Sequence, residues 1–342
     1  MTYSTSLKIT IPTVLYVNRE GSPQTPRSII LLYLTRIRYR RPLYPPRVAL
    51  EADLRSIISS WKIHGLGEIA EKMIPPSAAM GEMSYQEHEY TVKLLISIFT
   101  FFMIYIDDRS SRGDPAPFAN FQRNYALATP QLDPVLDQFA DFLTVVWSFY
   151  DPFTANAIVS SSLEFINGCY LERLTEKMPI NPEAEKFPYF LRSKTGVAQA
   201  YAMMIFPAAL HPSPTAFIQA IPSISYWIDI TNDILSFYKE ELAHETNNYI
   251  HLRAAVARRR PVQVLRDLVD ESLHASNSVE SILKRNTAAL NAWLTFKTGY
   301  ITFHISQDRY KLSELMLGHK SPAESNNELR RLLSMTIETT TQ

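Results

Sequence analysis

The sequence predicts an all-α protein in which about ten helices form one bundle. Apolar residues recur about every 3.6 residues in segments such as PVLDQFADFLTVVWSFY, residues 134–150. Only nine glycines occur among the 342 residues, and glycine is what tight hairpins and phosphate-binding loops require. Prolines lie between the apolar segments, where helices can end. Examples are Pro130, Pro182, Pro212 and Pro261.

Three regions follow one another along the chain. Residues 1–46 are expected to be irregular, since they are rich in proline and carry the basic cluster RIRYRRPLYPPR at residues 36–47. Residues 47–320 are expected to form one helical domain around a central cavity, because no convincing linker divides them. Residues 321–342 read as a polar C-terminal tail. Helices are predicted near residues 49–61, 84–106, 134–150, 153–176, 186–205, 214–242, 246–257, 261–284 and 287–317.

Composition excludes several classes of function. Thirty-four basic residues balance thirty-four acidic ones, so no overall field would recruit nucleic acid. Cys169 is the only cysteine, which excludes an internal disulfide and a cysteine-cluster metal site and fits a cytoplasmic protein. The longest uncharged apolar run, residues 94–106, has 13 residues and is too short to span a bilayer. A small-molecule partner is therefore favoured.

Two aspartates stand at the end of an apolar helix. The predicted helix at 84–106 runs into Asp107 and Asp108, within the stretch YIDDRSSRGD. Burying carboxylates is unfavourable unless cations meet them. This arrangement predicts a site that holds cations.

A second set of oxygen atoms lies on the predicted helix near 214–242. Asn232, Ser236 and Glu240 follow one another at steps of four residues, so they share one face of that helix. An amide oxygen, a hydroxyl and a carboxylate are hard donors suited to Mg²⁺, which is usually completed by water and substrate phosphate oxygens. Taken alone, such a stripe is also typical of a polar surface.

Together these segments resemble class I terpene cyclases, and among them the fungal trichodiene synthase family. NDILSFYKE, residues 232–240, is similar to the second metal-binding motif of that family, and YIDD, residues 105–108, stands in the place of its aspartate-rich motif. FLRSKTG resembles the segment with the diphosphate-sensing arginine, here Arg192. GYITFHISQDRYKLSEL resembles the C-terminal segment with an Arg-Tyr pair, here Arg309 and Tyr310. The likeness covers roughly residues 30–315 in one order.

The resemblance implies the class I terpenoid synthase helical fold and the activity of a sesquiterpene synthase. The expected substrate is farnesyl diphosphate, and the expected cofactor is Mg²⁺, about three ions. Asp107, Asp108, Asn232, Ser236 and Glu240 would hold the metal. The catalytic residues would be Asp107 with the donors to the diphosphate, which are Arg192, Lys239, Arg309 and Tyr310. No nucleic acid or membrane span is expected, and a homodimer is one option for assembly.

One departure from the family pattern concerns the aspartate-rich motif. Related synthases carry further acids close behind the first two aspartates, whereas this chain has Arg109 and Arg112 in that space. We therefore expect Asp107 to bridge the metal ions and Asp108 to pair with an arginine. The number of ions on this side stays open.

The hydrocarbon part of the substrate needs a dry pocket with aromatic faces, because a desolvated cation over an aromatic ring gains on the order of 2 kcal/mol. Among the candidates, Phe102, Trp227 and Tyr300 are predicted to contact substrate. The others are Phe99, Phe165, Tyr170, Trp293 and Phe303.

Two alternatives remain open at this stage. A trans-prenyltransferase would have the same helical architecture, but such enzymes are expected to carry aspartate-rich motifs on both helices. A catalytically silent helical protein that binds isoprenoids is favoured only by the unusual DDRSSRGD segment. His304 is a conceivable base for the last proton loss, although a satisfied core histidine is favoured.

Overall fold

The computed structural model describes residues 16–17, 23–42 and 48–315, and this part of the chain confirms the predicted all-α class. Two residue pairs, Tyr16–Val17 and Pro23–Gln24, form a minimal antiparallel ladder. Thirteen α-helices follow in the described part. They are α1 Pro26–Arg36, α2 Val48–Ser60, α3 Leu66–Ser84, α4 Tyr90–Ser110, α5 Ala116–Ala126, α6 Pro134–Val145, α7 Pro152–Thr175, α8 Phe187–Thr195, α9 Ala198–Met204, α10 Ile221–Ala243, α11 Tyr249–Val256, α12 Pro261–Leu283 and α13 Thr287–Ser306.

Local sequence explains where the middle helices begin. Asp133 caps α6 by accepting from the backbone N–H groups of Val135 and Leu136, and Asp151 caps α7 in the same way. Proline occupies the first turn of α6, α7 and α12. It fits there because the first N–H groups of a helix have no intrahelical partner. These caps and prolines fix where the three helices begin.

Helix α4 passes through the middle of the bundle and packs against α2, α3, α6 and α7. Within the described ranges it is the one helix long and apolar enough to cross a membrane, and 61% of its apolar window is buried inside the protein. Its side chains from Phe99 to Ile106 are core residues. Packing in the bundle therefore accounts for the apolarity of α4, and the helix extends to Ser110 beyond the 13-residue run.

The last long helix, α13, packs closely on α3. A Cβ atom at Gly299 would lie 1.8 Å from the backbone oxygen of Met83, so only glycine permits this approach. The contact brings Tyr300, Phe303 and His304 to the centre of the bundle, beside α10.

Several helix predictions need correction. Helix α1 lies inside residues 1–46, which were expected to be irregular. Helix α3 was missed although it carries Pro75 and Pro76 in its interior, and α5 was also missed. Helix α4 begins at Tyr90 and not near residue 84. The predicted segment 186–205 divides into α8 and α9 at Val197, whose φ is 47°.

The helix predicted near residues 287–317 is confirmed only as far as Ser306. Helix α13 ends at Ser306, and 3₁₀ turns cover Asp308–Tyr310 and Leu312–Leu315 where a continuous helix was expected. The predicted tail at 321–342 and the boundary near residue 47 lie outside the described residues. The division into three regions therefore stays a prediction.

Candidate active site

The end of α4 and the middle of α10 face one cleft. The cleft has a volume of about 730 Å³, and its walls are mostly polar. Asp107 and Asp108 come from the last turn of α4, and both are accessible to solvent. Asn232, Lys239 and Glu240 come from α10. Two motifs separated by more than a hundred residues in the sequence thus line the same space.

A smaller chamber of about 170 Å³ adjoins the cleft and shares several of its residues. The shared residues are Asp107, Arg192, Thr195, Asn232, Lys239 and Arg309. Apolar and aromatic side chains form much of the remaining wall, which includes Met80, Met103, Ile104, Phe165, Tyr201, Tyr300 and Phe303. The site therefore combines a charged cleft with an adjoining chamber that is largely apolar.

The stripe on α10 spans both spaces. Asn232 lines the cleft and the chamber, Ser236 lines the chamber, and Glu240 lines the cleft. The Ser236 hydroxyl is buried and makes no hydrogen bond of normal geometry, although it is close enough to the Glu240 carboxylate to counteract the rise that burial causes in the pKa of that group. A buried hydroxyl without such a bond is unfavourable unless a ligand or an ion satisfies it.

Arg192 on α8 is held against α10 by two carboxylates. Its Nε donates to Oδ1 of Asp233 at 2.8 Å, and its Nη1 lies 3.1 Å from Oδ1 of Asp229. Nη2 donates to the backbone oxygen of Asp229 at 3.0 Å and to Oδ1 of Asn232 at 3.3 Å. The guanidinium therefore sits beside Asn232 with most of its donors engaged.

Gly196 makes this arrangement possible. A Cβ atom at this position would lie 2.0 Å from Oδ1 of Asp229 and 2.4 Å from Nη1 of Arg192. Any larger residue would push the ion pair apart. The sequence reasoning did not single out Asp229 or Asp233, although their four-residue spacing in an apolar helix was a readable signal.

Burial dominates the electrostatics of the carboxylates. Although the Asp107 side chain reaches solvent, the protein atoms packed around it remove part of its hydration and raise its pKa, an effect that Asp108 strengthens and that Arg309 and Lys239 oppose. Burial also raises the pKa of Glu240 to about 7, although Lys239 counteracts this. A cation placed beside either carboxylate would stabilise its ionised form and so lower its pKa.

Glu172 on α7 is a further acidic residue of the cleft. Burial, and then the nearby charge of Asp107, raises the pKa of Glu172 to about 7. Glu172 ends the segment NGCYLE, residues 167–172, and was not among the residues predicted for the site. The structure places it in the wall of the same cleft as Asn232 and Glu240.

The basic residues predicted to contact the diphosphate also gather here. Arg309 and Lys239 line both spaces, and Tyr310 lines the chamber. The guanidinium of Arg309 lies 5.9 Å from the ring centre of Tyr310. Burial lowers the pKa of Arg309, but the charges of Tyr310, Asp107 and Asp108 outweigh that effect and raise it overall. Arg309 and the two aspartates line the same cleft.

The expected pairing of Asp108 with an arginine is wrong for the described residues. Asp108 makes no ion pair within these residues. The nearby Arg109 interacts instead with Tyr105. The Tyr105 hydroxyl itself donates to Asp133 at 2.9 Å. Arg112 is exposed and lines the cleft. Both aspartates are therefore open to the cleft.

Two of the aromatic residues predicted to contact substrate, Phe102 and Trp227, pack against other aromatic rings. Phe102 stacks on Trp61 with ring centres 5.4 Å apart, and Trp227 packs edge-on against Trp293 at 5.0 Å. Neither Phe102 nor Trp227 lines the cleft or the chamber. Helical periodicity shows that a residue is buried, but it does not distinguish core packing from a cavity wall. Tyr300, in contrast, does line the chamber.

The donor set can be tested for its fit to a metal ion. Across the described ranges, no group of three or more His, Cys, Asp or Glu side chains is arranged to hold an ion. The α10 stripe instead offers an amide, a hydroxyl and one carboxylate, and Asp107 faces the same space. Such a set fits Mg²⁺, which takes few protein ligands and keeps water or phosphate oxygens. The buried Ser236 hydroxyl, which makes no hydrogen bond of normal geometry, supports that fit.

Comparisons with known proteins agree with this geometry. The family model described as trichodiene synthase (TRI5) matches residues 77–340. Terpene synthase BipA of Cochliobolus sativus is 34% identical over 290 residues, which cover 83% of this chain and 89% of that protein. Alpha-cuprenene synthase COP6 of Coprinopsis cinerea is 34% identical over 227 residues, 66% of this chain and 69% of that protein.

A solved structure shares the fold at low sequence identity. Linalool/nerolidol synthase from Streptomyces clavuligerus, in complex with 2-fluorogeranyl diphosphate, superimposes with a TM-score of 0.59 at 13% identity. The match covers 77% of this chain and 100% of that structure. Because the family model and a relative that is 34% identical each match more than three quarters of the chain, the chain belongs to the trichodiene synthase family of terpene synthases.

Proposed function

We propose that this protein is a Mg²⁺-dependent sesquiterpene synthase that ionises farnesyl diphosphate and cyclises the resulting cation. One observation carries the proposal. Asp107, Asn232 and Glu240 line one cleft, and Asp107 and Asn232 also line the adjoining aromatic chamber together with Ser236. A charged entrance beside an apolar interior suits a substrate with a diphosphate at one end and a hydrocarbon chain at the other.

The chain's own cations would bind and orient the diphosphate. Arg309 and Lys239 line both spaces, so they can reach a diphosphate group whose hydrocarbon chain enters the chamber. Arginine offers a planar fork that matches phosphate oxygens, and charge-assisted contacts of this kind are strong. Donors placed where negative charge develops lower the barrier to loss of the leaving group.

The metal would be held by Asp107, Asn232, Ser236 and Glu240, with Asp108 beside them. When bound, Mg²⁺ supplies Lewis-acid stabilisation of the departing diphosphate. Arg192 lies next to Asn232 and would contact the diphosphate from the α8 side. Its engagement by Asp229 and Asp233 holds it in place before substrate arrives.

The chamber would protect and steer the carbocation. Tyr300 and Phe303 of α13 and Phe165 of α7 present aromatic side chains to it. Aromatic faces stabilise a desolvated cation by about 2 kcal/mol. Because these residues are nearly fully buried, the wall also excludes the water that would capture the cation early.

His304 is poorly suited to take the final proton. It is fully buried, its ring nitrogens lie within hydrogen-bond distance of the Tyr300 carbonyl and the Asn232 amide, and burial lowers the pKa of His304 to about 3. The released diphosphate, held by Arg309 and Lys239, is the better candidate for the base. The reaction then ends in proton loss or water capture.

A farnesyl chain is the proposed substrate on the strength of the relatives. One relative is named (E)-beta farnesene synthase. Another is named monoterpene synthase 25, so the test below includes geranyl diphosphate. A prenyltransferase is the second candidate, and the α10 stripe argues against it because it offers one carboxylate where such enzymes are expected to offer several. Cytoplasmic location and a homodimer stay predictions of the sequence.

The test is incubation of the full chain with geranyl, farnesyl and geranylgeranyl diphosphates, each with and without Mg²⁺. Gas chromatography with mass spectrometry should find a cyclic fifteen-carbon product only with farnesyl diphosphate and the metal. Parallel reactions that also contain isopentenyl diphosphate test for a prenyltransferase, because a longer prenyl diphosphate can form only when this five-carbon co-substrate is supplied. Absence of metal-dependent diphosphate release from all three substrates would identify a silent isoprenoid-binding protein.

A further inference from the structure

His304 lies directly behind Asn232, at the back of the chamber. The side chain is fully buried, and its ring packs between two tyrosines, with ring centres 4.5 Å from Tyr300 and 4.4 Å from Tyr310. These neighbours restrict rotation of the imidazole. The histidine therefore presents a fixed edge to α10.

The hydrogen bonds determine which nitrogen of His304 carries the proton. Nδ1 lies 2.8 Å from the backbone oxygen of Tyr300, and a carbonyl oxygen only accepts. Nδ1 must therefore be the N–H donor, which leaves Nε2 of the neutral ring as an acceptor. Nε2 lies 3.0 Å from Nδ2 of Asn232.

This tautomer fixes the orientation of the Asn232 amide. The NH₂ group must face the acceptor on His304, so Oδ1 points the other way. Arg192 imposes the same orientation independently, because its Nη2 can only donate and lies 3.3 Å from Oδ1. Two neighbours on different helices thus require one rotamer of a nearly symmetric side chain.

The orientation matters because only one end of the amide can bind a cation. A flipped amide would present two N–H donors to the space where the oxygen is needed. We propose that His304 is a positioning residue that keeps Oδ1 of Asn232 turned towards the metal. This inference rests on the proposed role of Asn232 in holding Mg²⁺.

Two substitutions at residue 304 separate positioning from packing. His304→Gln places an amide oxygen near the position of Nε2, so it can still accept from Asn232. His304→Asn is shorter, so it can replace only the contact to the Tyr300 carbonyl. His88→Asn is the matched control, since His88 is also buried and bonds a backbone oxygen, that of Met204 at 3.0 Å, but lines neither cavity of the site.

The measurement is thermal unfolding of the full chain at a fixed concentration of inorganic diphosphate, with MgCl₂ increased stepwise. Ligands that bind the folded state raise the unfolding temperature, and this readout does not depend on turnover. Loss of an outer partner of a metal ligand weakens metal affinity about 10-fold to 100-fold. His304→Asn should therefore need at least about 10-fold more Mg²⁺ for its half-maximal shift.

The other variants complete the test. His304→Gln should stay within about 3-fold of the wild type, and His88→Asn should unfold earlier but respond to the same Mg²⁺ concentration. A folded His304→Asn protein with the wild-type Mg²⁺ dependence would overturn the inference. So would a His304→Gln protein that needs about 10-fold more Mg²⁺, even if His304→Asn does not fold. A wild type without any Mg²⁺-dependent shift would refute the proposed metal site, and this inference with it.

Discussion

Nε of Arg192 donates to Oδ1 of Asp233 at 2.8 Å, and this bond joins α8 to α10 at the wall of the cleft. Asp229 completes the cluster from one turn earlier on α10. All three side chains are largely buried. The arginine proposed to contact the diphosphate is therefore anchored by protein charges before any ligand binds.

Loss of one of these carboxylates should destabilise the fold. Asp233→Asn leaves the Arg192 guanidinium with one charged partner in place of two, and breaking a buried ion pair typically costs about 3–5 kcal/mol. Because Asp229 remains, we expect a loss of about 2–4 kcal/mol in the free energy of unfolding, measured in urea. Asp141→Asn, at an exposed position, is the control. Equal stability of the two variants would show that the pair contributes nothing.

Glu240 and its neighbour Glu241 offer a matched pair for the metal assignment. Glu240 lines the cleft, whereas Glu241 faces away and lies 2.9 Å from Nε2 of His251. Glu240→Gln should lower kcat at least about 100-fold because a hard anionic ligand is lost. Glu241→Gln should retain activity close to the wild type, with both helical circular dichroism spectra unchanged. Equal activity of the two variants would remove Glu240 from the site.

Residues that line the chamber should determine which product forms, whereas buried residues that do not line it should not. Phe303→Leu changes the shape of the chamber, so we expect altered ratios of products at a similar rate of diphosphate release. Phe102→Leu removes stacking on Trp61 outside the cavity, so it should lower the free energy of unfolding by about 1–2 kcal/mol with unchanged products. Chromatography of both variants tests the distinction, and a changed product profile in Phe102→Leu would contradict it.

Glu172 should make stability depend on pH. Its pKa is raised in the folded protein to about 7, above the ordinary value of 4.5, so the folded state binds more protons than the unfolded state between these values. Stability from this group is therefore full below pH about 4.5 and is lost as pH rises through about 7. Glu172→Gln should unfold at a higher temperature than the wild type at pH 8 and show a smaller difference at pH 4.5. A difference that is the same at both values would contradict the assignment.

The polar residues of the proposed site could be picked out from the sequence because their spacing is local. Asn232, Ser236 and Glu240 are placed on one face by helix periodicity alone, and Asp107 follows an apolar run that had to be buried. In the structure these positions line the cleft and the adjoining chamber. What periodicity could not supply was the partner of each charge, which depends on how α8 packs against α10.

The apolar half could be predicted only as a composition. Trp227 and Tyr300 are both buried aromatics on helices that contact each other, with ring centres 5.7 Å apart. Only Tyr300 reaches the cavity, because the side on which a void remains is decided by the packing of several helices. Helix α3 was missed for a different reason, since Pro75 and Pro76 usually mark a helix end.

The central claim is that oxygen atoms from α4 and α10 hold divalent ions between them. A crystal structure of the protein grown with Mn²⁺ and inorganic diphosphate, recorded with anomalous scattering, tests it most directly. We expect anomalous peaks in two places, one within about 2.5 Å of the Asp107 carboxylate and one within about 2.5 Å of Oδ1 of Asn232, Oγ of Ser236 and the Glu240 carboxylate. Each peak should also contact an oxygen atom of the diphosphate. Diphosphate bound in the cleft by arginine and lysine alone, with no metal between the two helices, would contradict it.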